Sequence, residues 1–327
     1  MPGLWKALRA LAVPPEESPG HRRALRIIGL VVVLAFAAFG VASVDLRRLG
    51  ASLAGASPGL LLVAALANVA NLVFHAFRWA AVVRPPGVRV RAVDVLAAMT
   101  AGFAVGIAVP ARAGDLVRAH LLARRAGLRR SFVLASAALD YVVGTASLVP
   151  LVGLLAVAIP LPSWARDALA VTAIASGGGV VALFFLRPPR DGRATDGPGL
   201  GGLVARLRSG LSAVHEPGAL ARALAWAIAG WGAEVGVAWA TLAAVGIAPT
   251  LGLSALVVLA TAAANAVAVS PGNAGPFELA AMLPLAGVGV APEPALAFAL
   301  LFHLAHLAPV GAMGGWVLLR EAAKARV

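Results

Sequence analysis

The chain has 327 residues, of which 61% are hydrophobic, and its formal net charge is +13. A soluble domain is about 45–50% apolar, so the composition excludes an ordinary soluble protein and indicates a polytopic membrane protein. The chain contains no cysteine, which excludes disulfides, thiolate metal sites and a cysteine nucleophile. The basic residues lie in short segments between apolar runs, a pattern typical of cytoplasmic loops and not of a nucleic-acid interface.

Eight apolar runs follow a polar N-terminal tail over residues 1–26. In chain order they cover residues 27–44, 59–79, 93–109, 131–159, 168–186, 223–245, 251–269 and 294–319. Each is near the length of about 20 residues that crosses the hydrocarbon core as a helix. The second run ends in Arg78 and Trp79, and we expect this arginine to snorkel to a membrane interface.

Two of the runs end in similar breaks. Residues 109–118 read Val-Pro-Ala-Arg-Ala-Gly-Asp-Leu-Val-Arg, and residues 269–278 read Val-Ser-Pro-Gly-Asn-Ala-Gly-Pro-Phe-Glu. Proline cannot continue a helix interior and glycine leaves the backbone unbiased. Both stretches therefore predict a helix that is interrupted at membrane depth.

The distribution of basic residues indicates how the runs are threaded. If all eight cross the membrane, lysine and arginine divide almost evenly between the two faces. If the two broken segments are re-entrant hairpins, nearly all of these residues lie on one face, as the positive-inside rule requires. We therefore predict an all-α membrane helix bundle of about six full spans and two broken re-entrant hairpins, with both termini cytoplasmic. An eight-span bundle without hairpins is the alternative.

The two halves of this arrangement have the same order of elements and opposite orientations. Such an inverted repeat, with broken helices at corresponding positions, is common in secondary transporters. We predict a first membrane repeat over 27–160 and a second over 161–320, which includes a cytoplasmic connection over 187–222. A short C-terminal tail follows over 321–327.

The motifs resemble those of the lysylphosphatidylglycerol synthase transmembrane, or flippase-like, family. The likeness rests on the two breaks, on Phe77-Arg78-Trp79 and on the stretch from Ser131 to Asp140. It implies a bacterial or archaeal inner-membrane protein related to the lipid-flipping half of aminoacyl-phosphatidylglycerol proteins. The sequence leaves no room for an aminoacyl-transferase domain, so we expect no lysine transfer to lipid.

The resemblance implies functional roles for Arg112, Asp115, Arg118, Asp140 and Glu278. The sequence departs from the family pattern at two positions. Ala137 stands where an arginine is frequent, and Asn273 stands where the second break usually has another glycine. Both departures bear on the preference for a particular lipid.

The chemistry of the two breaks suits an anionic lipid head group. A bare charge in hydrocarbon costs several kcal/mol, so the head group needs cationic or dipolar hosts. Arg112 and Arg118 offer the planar donor fork that fits phosphate, and Asp115 lies one helical turn before Arg118. In the second break, a helix that starts near Phe277 directs its positive end at an anion. The predicted substrate-binding residues are Arg112, Asp115, Arg118, Asp140, Glu234, Pro271, Gly272, Asn273, Gly275 and Glu278.

Each of these residues also has a structural interpretation. The arginines also fit as positive-inside anchors, and Asp140 and Glu234 fit as members of buried ion pairs or as protonated acids. Glu278 is either a proton-coupled carboxylate, a counter-ion for an arginine of the first break, or a charge that only satisfies a helix dipole. His303 and His306 share a helix face without a third ligand, which favours packed or gating histidines over a metal site. We expect no metal and no cofactor.

These observations predict a flippase-like inner-membrane protein, not an enzyme, that moves an anionic phospholipid or a polyprenyl-phosphate-linked lipid between leaflets. Two alternatives remain open: a membrane-embedded enzyme acting on a lipid phosphate or glycolipid, and a non-transporting partner that presents lipid. We expect the ligand to be a membrane lipid, and we expect no binding to nucleic acid. The candidate protein partners are a second copy of the chain and a lipid-modifying enzyme. We also expect Arg112 and Glu278 to approach one another near the membrane midplane.

Overall fold

The computed structural model describes residues 44–83, 88–108, 113–158, 216–266 and 270–324, with isolated helical positions within 27–38 and 163–178. In these residues all regular structure is helical and no strand occurs, which confirms the all-α prediction. Nine α-helices and one 3₁₀ turn have both ends within the described residues. They are α1 (Leu46–Ala54), α2 (Pro58–Val82), α3 (Ala92–Ala108), α4 (Ala113–Ala126), α5 (Arg130–Ala158), α6 (Pro217–Ala244), α7 (Leu251–Ala266), the turn Pro271–Asn273, α8 (Pro276–Gly287) and α9 (Pro292–Lys324).

Four of the described helices are long and apolar enough to cross a membrane. They are α2, the first part of α5, α6 and α9, and each matches one of the predicted full spans. The predicted spans over 27–44 and 168–186 lie outside the described residues, apart from the isolated positions. Helices α3 and α7 are apolar but have only 17 and 16 residues. At 1.5 Å per residue each is about 25 Å long, which is short of the hydrocarbon thickness of about 30 Å.

Small residues make many of the helix contacts, and large apolar residues face outward. Leu62 and Leu66 on α2 are 60% and 59% exposed, whereas Ala64 and Ala76 on the same helix are buried. Lipid is as apolar as leucine, so burying leucine gains little in a membrane, and close approach of backbones through alanine stabilises the packing instead.

Both breaks found in the sequence separate two helices. Residues 109–112, which include Arg112, lie outside the described part of the chain between α3 and α4. Asp94 in the first turn of α3 forms an ion pair of 3.5 Å with Arg125 in the last turn of α4. In the second break, the turn Pro271–Asn273 joins α7 to α8, and these two helices pack against one another.

Helix α9 contains a proline whose missing N–H is compensated by another helix. Pro309 has no N–H to donate to the carbonyl of Ala305, four residues earlier. The side chain of Asn68 on α2 donates instead, to Ala305 O at 3.1 Å and to His306 O at 3.2 Å. The helix therefore continues through the proline with this carbonyl satisfied.

Hydrogen bonds place several helix ends together. The N–H of Ser57, just before α2, donates to Ala244 O at the end of α6. The N–H of Asp45 donates over 3.4 Å to Glu293 Oε1 in the first turn of α9, and α1 packs on α9. The start of α2, the end of α6 and the start of α9 thus share one end of their group of helices.

The chain forms two compact units that are discontinuous in sequence. Unit 1 combines Met1–Ala70, Phe103–Gly114 and Gly232–Val327. Unit 2 combines Asn71–Gly102 and Asp115–Trp231. The predicted division into two sequential repeats at about residue 160 stays a prediction.

Candidate functional site

Arg118 is buried on α4 and pairs with a carboxylate one turn earlier. Its Nε lies 3.0 Å from Asp115 Oδ1, and its side chain is 2% exposed against 24% for Asp115. The Tyr141 hydroxyl on α5 donates to the same Asp115 oxygen at 3.0 Å. The pairing expected from the spacing is therefore confirmed, and a third side chain holds the carboxylate in place.

Two aromatic rings lie against the Arg118 guanidinium. Its Cζ is 5.0 Å from the centroid of the Trp79 ring and 4.8 Å from that of the Tyr141 ring. Trp79 is fully buried and donates from Nε1 to Ser136 Oγ at 3.2 Å. Cation–π contacts gain strength away from water, so the two rings fix the guanidinium in place.

The held guanidinium retains unsatisfied donors. Arg118 Nε and Nη2 are buried and make no hydrogen bond within the described part of the chain. Nε is close enough to Asp115 for an ion pair, but its N–H is not aligned with the oxygen. A buried donor without an acceptor costs about 1–3 kcal/mol, and more when charged. A phosphate oxygen is the kind of acceptor that satisfies such a fork.

Asp140 has a partner that the sequence did not identify. Arg78 Nε and Nη2 donate to the two oxygens of Asp140 at 2.7 and 3.0 Å, and both side chains are buried. The expectation that Arg78 snorkels to an interface is therefore wrong: a bidentate partner inside the unit keeps the arginine 6% exposed. The contact favours the ion-pair interpretation of Asp140, whose predicted binding of substrate stays a prediction.

The second break is a tight turn with two consecutive left-handed residues. Gly272 has φ 59° and Asn273 has φ 60°. Asparagine tolerates this region better than other residues with a Cβ, so it can stand where the family pattern has glycine. Asn273 Nδ2 donates to Asn265 Oδ1 at 2.8 Å, which ties the turn to the end of α7.

Glu278 is bound on both carboxylate oxygens. Its Oε2 accepts from the N–H of Gly275 at 2.7 Å at the start of α8. Its Oε1 lies 2.6 Å from His303 Nδ1 on α9. The interpretation of Glu278 as a charge at a helix start therefore accounts for Oε2 only. The contact of Oε1 with His303 was not expected. The predicted approach of Arg112 to Glu278 falls outside the described residues and stays a prediction.

Glu234 forms a second carboxylate–histidine pair. Its Oε1 lies 2.7 Å from His306 Nε2, while His306 Nδ1 lies 2.7 Å from Phe302 O. A buried ion pair was one of the interpretations of Glu234, and the structure supplies its partner. Within the described residues no group of three or more metal-ligating side chains converges.

The candidate residues therefore form two groups, one in each unit. Asp115, Arg118 and Asp140 lie in unit 2 together with Trp79 and Tyr141, whose contacts with Arg118 the motifs did not predict. The other described candidates lie in unit 1: Glu234, Pro271, Gly272, Asn273, Gly275 and Glu278. A charge in an apolar helix indicates that some partner exists, but it does not indicate which residue supplies the contact.

A protein-family model described as Lysylphosphatidylglycerol synthase TM region matches residues 26–314. The match covers most of the chain and confirms the family that the two break motifs suggested. No curated protein and no solved structure matches the chain.

Proposed function

Since this chain belongs to the lysylphosphatidylglycerol synthase TM region family, we propose that it moves an anionic lipid between the two leaflets of the inner membrane. The lipid is a phospholipid or a polyprenyl-phosphate-linked intermediate. The observation that carries the proposal is the buried guanidinium of Arg118, whose Nε and Nη2 are without hydrogen-bond acceptors in the described part of the chain.

The surroundings of Arg118 suit transient binding of a phosphate. Asp115 keeps the empty site close to neutral, so the buried arginine is tolerated before lipid arrives. The rings of Trp79 and Tyr141 hold the guanidinium without occupying its N–H groups. A transporter must bind the phosphate tightly enough to replace its water and weakly enough to release it afterwards. A single oriented guanidinium meets both conditions.

The helix arrangement supports re-entrant hairpins. The ion pair between Asp94 and Arg125 brings the end of α4 back to the start of α3. In the eight-span alternative these two ends lie on opposite faces of the membrane. The end of α6 and the start of α9 likewise lie at the same end of their group of helices. This supports a segment between them that enters and leaves the membrane on one face, as a re-entrant hairpin does. Both termini then lie in the cytoplasm, where most of the basic residues are retained.

Purified protein in vesicles tests the transport proposal. Phosphatidylglycerol with a fluorescent head group is placed in both leaflets, and an impermeant quencher reports how fast inner-leaflet lipid reaches the outside. We expect Arg118→Gln to slow this exchange about tenfold to a hundredfold, because one charge-assisted contact to phosphate is lost. Arg118→Lys keeps the charge but loses the fork, and should also be slow.

Arg320→Gln is the matched control, because Arg320 also stacks on a tryptophan, at 4.5 Å from the Trp316 ring centroid, but is exposed. Folded Arg118→Gln protein that exchanges lipid at the wild-type rate contradicts the site. Absence of protein-dependent exchange in the wild type contradicts transport. Mass spectrometry of the lipid after incubation separates the two alternatives, since only an enzyme alters its covalent structure.

A further inference from the structure

His303 is held between an acceptor and a carboxylate. Its Nε2 lies 2.9 Å from the carbonyl oxygen of Gly272, and its Nδ1 lies 2.6 Å from Glu278 Oε1. A carbonyl oxygen only accepts, so Nε2 carries a hydrogen. If Nδ1 and the carboxylate both lacked a proton, two lone pairs would face each other over 2.6 Å. The geometry therefore requires one proton between His303 and Glu278, on either the ring or the acid.

His306 repeats this arrangement three residues later on α9. Its Nδ1 lies 2.7 Å from Phe302 O and therefore carries a hydrogen. Its Nε2 lies 2.7 Å from Glu234 Oε1, so a second proton is required between this ring and the acid. The ionisable groups that face the two rings thus come from two other helices, Glu278 from α8 and Glu234 from α6.

Aromatic rings surround both pairs. The Phe277 ring stacks on His303 with centroids 4.3 Å apart, and the Phe302 ring meets His306 edge-on at 4.7 Å. The side chains of His303 and Glu278 are only 8% and 6% exposed. In such a site each pair is neutral with its proton and carries one negative charge without it, and the buried negative charge is unfavourable.

We propose that unit 1 binds two transported protons, one at Glu278 and His303 and one at Glu234 and His306, and that their movement drives the lipid. The inference rests on the proposed function. The link to lipid is the Gly272 carbonyl, which belongs to the second break and accepts from His303. With the proton lost, the pair beside this break is negative and repels an anionic head group. Proton and lipid therefore bind together and leave together.

Each transport cycle conserves protons. A proton enters a pair from water on one face, converting it from the negative to the neutral state. After the protein exposes its other side, the same proton returns to water there and the pair becomes negative again. No bond other than that to the proton is made or broken.

The test uses vesicles that contain the full chain and fluorescent phosphatidylglycerol, with the membrane potential clamped by potassium and valinomycin. A gradient of one pH unit is imposed, and the final ratio of labelled lipid between the leaflets is measured. One proton per lipid shifts this ratio about tenfold, and two protons shift it about a hundredfold. We expect accumulation in the leaflet on the alkaline side. Exchange that proceeds to an equal distribution overturns the proposal.

Variants assign the protons to the two pairs. Glu278→Gln and Glu234→Gln each make one pair permanently neutral, so each should reduce the response from about a hundredfold to about tenfold. The double variant should exchange lipid without responding to the gradient. His21→Gln, in the predicted N-terminal tail, is the control. A double variant that accumulates lipid as the wild type does contradicts the assignment.

A second measurement is independent of transport. The nitrogen-15 spectrum of labelled protein in micelles reports the protonation of each of the six histidines. We expect two of these histidines to stay hydrogen-bonded to a carboxylate at pH 7. The two single variants identify which signals belong to His303 and His306. Absence of lipid exchange together with these two signals contradicts transport and retains proton binding; neutral histidines without a bonded acid overturn proton binding itself.

Discussion

Arg78 requires glycine at a specific position on the neighbouring helix. A Cβ added to Gly144 on α5 lies 2.7 Å from Arg78 Nη1 and 3.0 Å from its Cζ. The guanidinium cannot move away freely, because Nε and Nη2 are both bonded to Asp140. Gly144 thus accounts for the close approach that lets a buried arginine lie across α5.

We expect Gly144→Ala to lower the free energy of unfolding by about 1–3 kcal/mol, because the added methyl displaces a buried ion pair. The measurement is a denaturing-detergent titration of protein held in mild micelles. Gly232→Ala on α6 is the matched control, since an added Cβ there meets nothing within 4 Å. It should be neutral or stabilising by up to about 1 kcal/mol. Equal effects of the two substitutions contradict this account.

Sequence spacing predicts contacts within one helix and fails for contacts between helices. Asp115 and Arg118 are three residues apart, so helical geometry alone brings them together. Arg78 and Asp140 are 62 residues apart, and nothing in their local sequence connects them. The rule that an intramembrane charge needs a partner predicts that a partner exists, but the packing of the helices decides which one.

Helix α9 depends on a side chain of α2 for the continuity of its hydrogen bonds. Asn68 donates to the Ala305 carbonyl, which Pro309 leaves without its usual donor. The same asparagine also reaches His306 O, beside one of the two carboxylate–histidine pairs. Asn68 and Pro309 are therefore expected to act together in stabilising the helix.

A double-mutant cycle tests this dependence. Asn68→Ala should cost about 1 kcal/mol in the native background, because the Ala305 carbonyl is left without a donor. In the Pro309→Ala background the restored backbone N–H satisfies that carbonyl, so the same substitution should cost close to zero. The free energies of unfolding of the four proteins give the coupling.

Ser254→Ala serves as the control in this cycle. Ser254 is buried on α7 with an Oγ that makes no hydrogen bond within the described residues. Its effect should add to that of Pro309→Ala without coupling. Additive effects for Asn68 and Pro309 as well contradict a shared role.

The existence of both breaks could be predicted, because proline and glycine act on the local backbone. The conformation of the second one could not be predicted in full. The consecutive left-handed residues Gly272 and Asn273 occur together with a hydrogen bond from Asn273 to Asn265 at the end of α7. Local sequence does not reveal that contact, although both residues are candidates for hydrogen bonding by type.

At the scale of the whole molecule, the threading of the chain is open to direct measurement. The sequence has no cysteine, so a single introduced cysteine reports its own side of the membrane without background. We expect Val88→Cys and Arg129→Cys to be cytoplasmic and Ala248→Cys and Ala291→Cys to be periplasmic, as judged by an impermeant maleimide on intact cells. These four positions are exposed.

The two threadings give different labelling patterns. In the hairpin arrangement, Val88 shares a side with Arg129, and Ala248 shares the other side with Ala291. In the eight-span alternative, each of these two pairs is divided between the faces. Labelling of Arg129→Cys from outside the cell contradicts the first hairpin, and labelling of only one of Ala248→Cys and Ala291→Cys contradicts the second.

The interleaving of the two compact units has a consequence for the order of folding. Unit 1 joins Met1–Ala70 with Gly232–Val327, so its first and last segments are made at opposite ends of synthesis. Contacts between distant segments close long loops, which is slow and costs chain entropy. Early helices such as α2 must therefore wait in the bilayer, with donors such as Asn68 without their native acceptors until α9 is inserted. Insertion of α9, and not of any earlier helix, is the step at which this unit becomes complete.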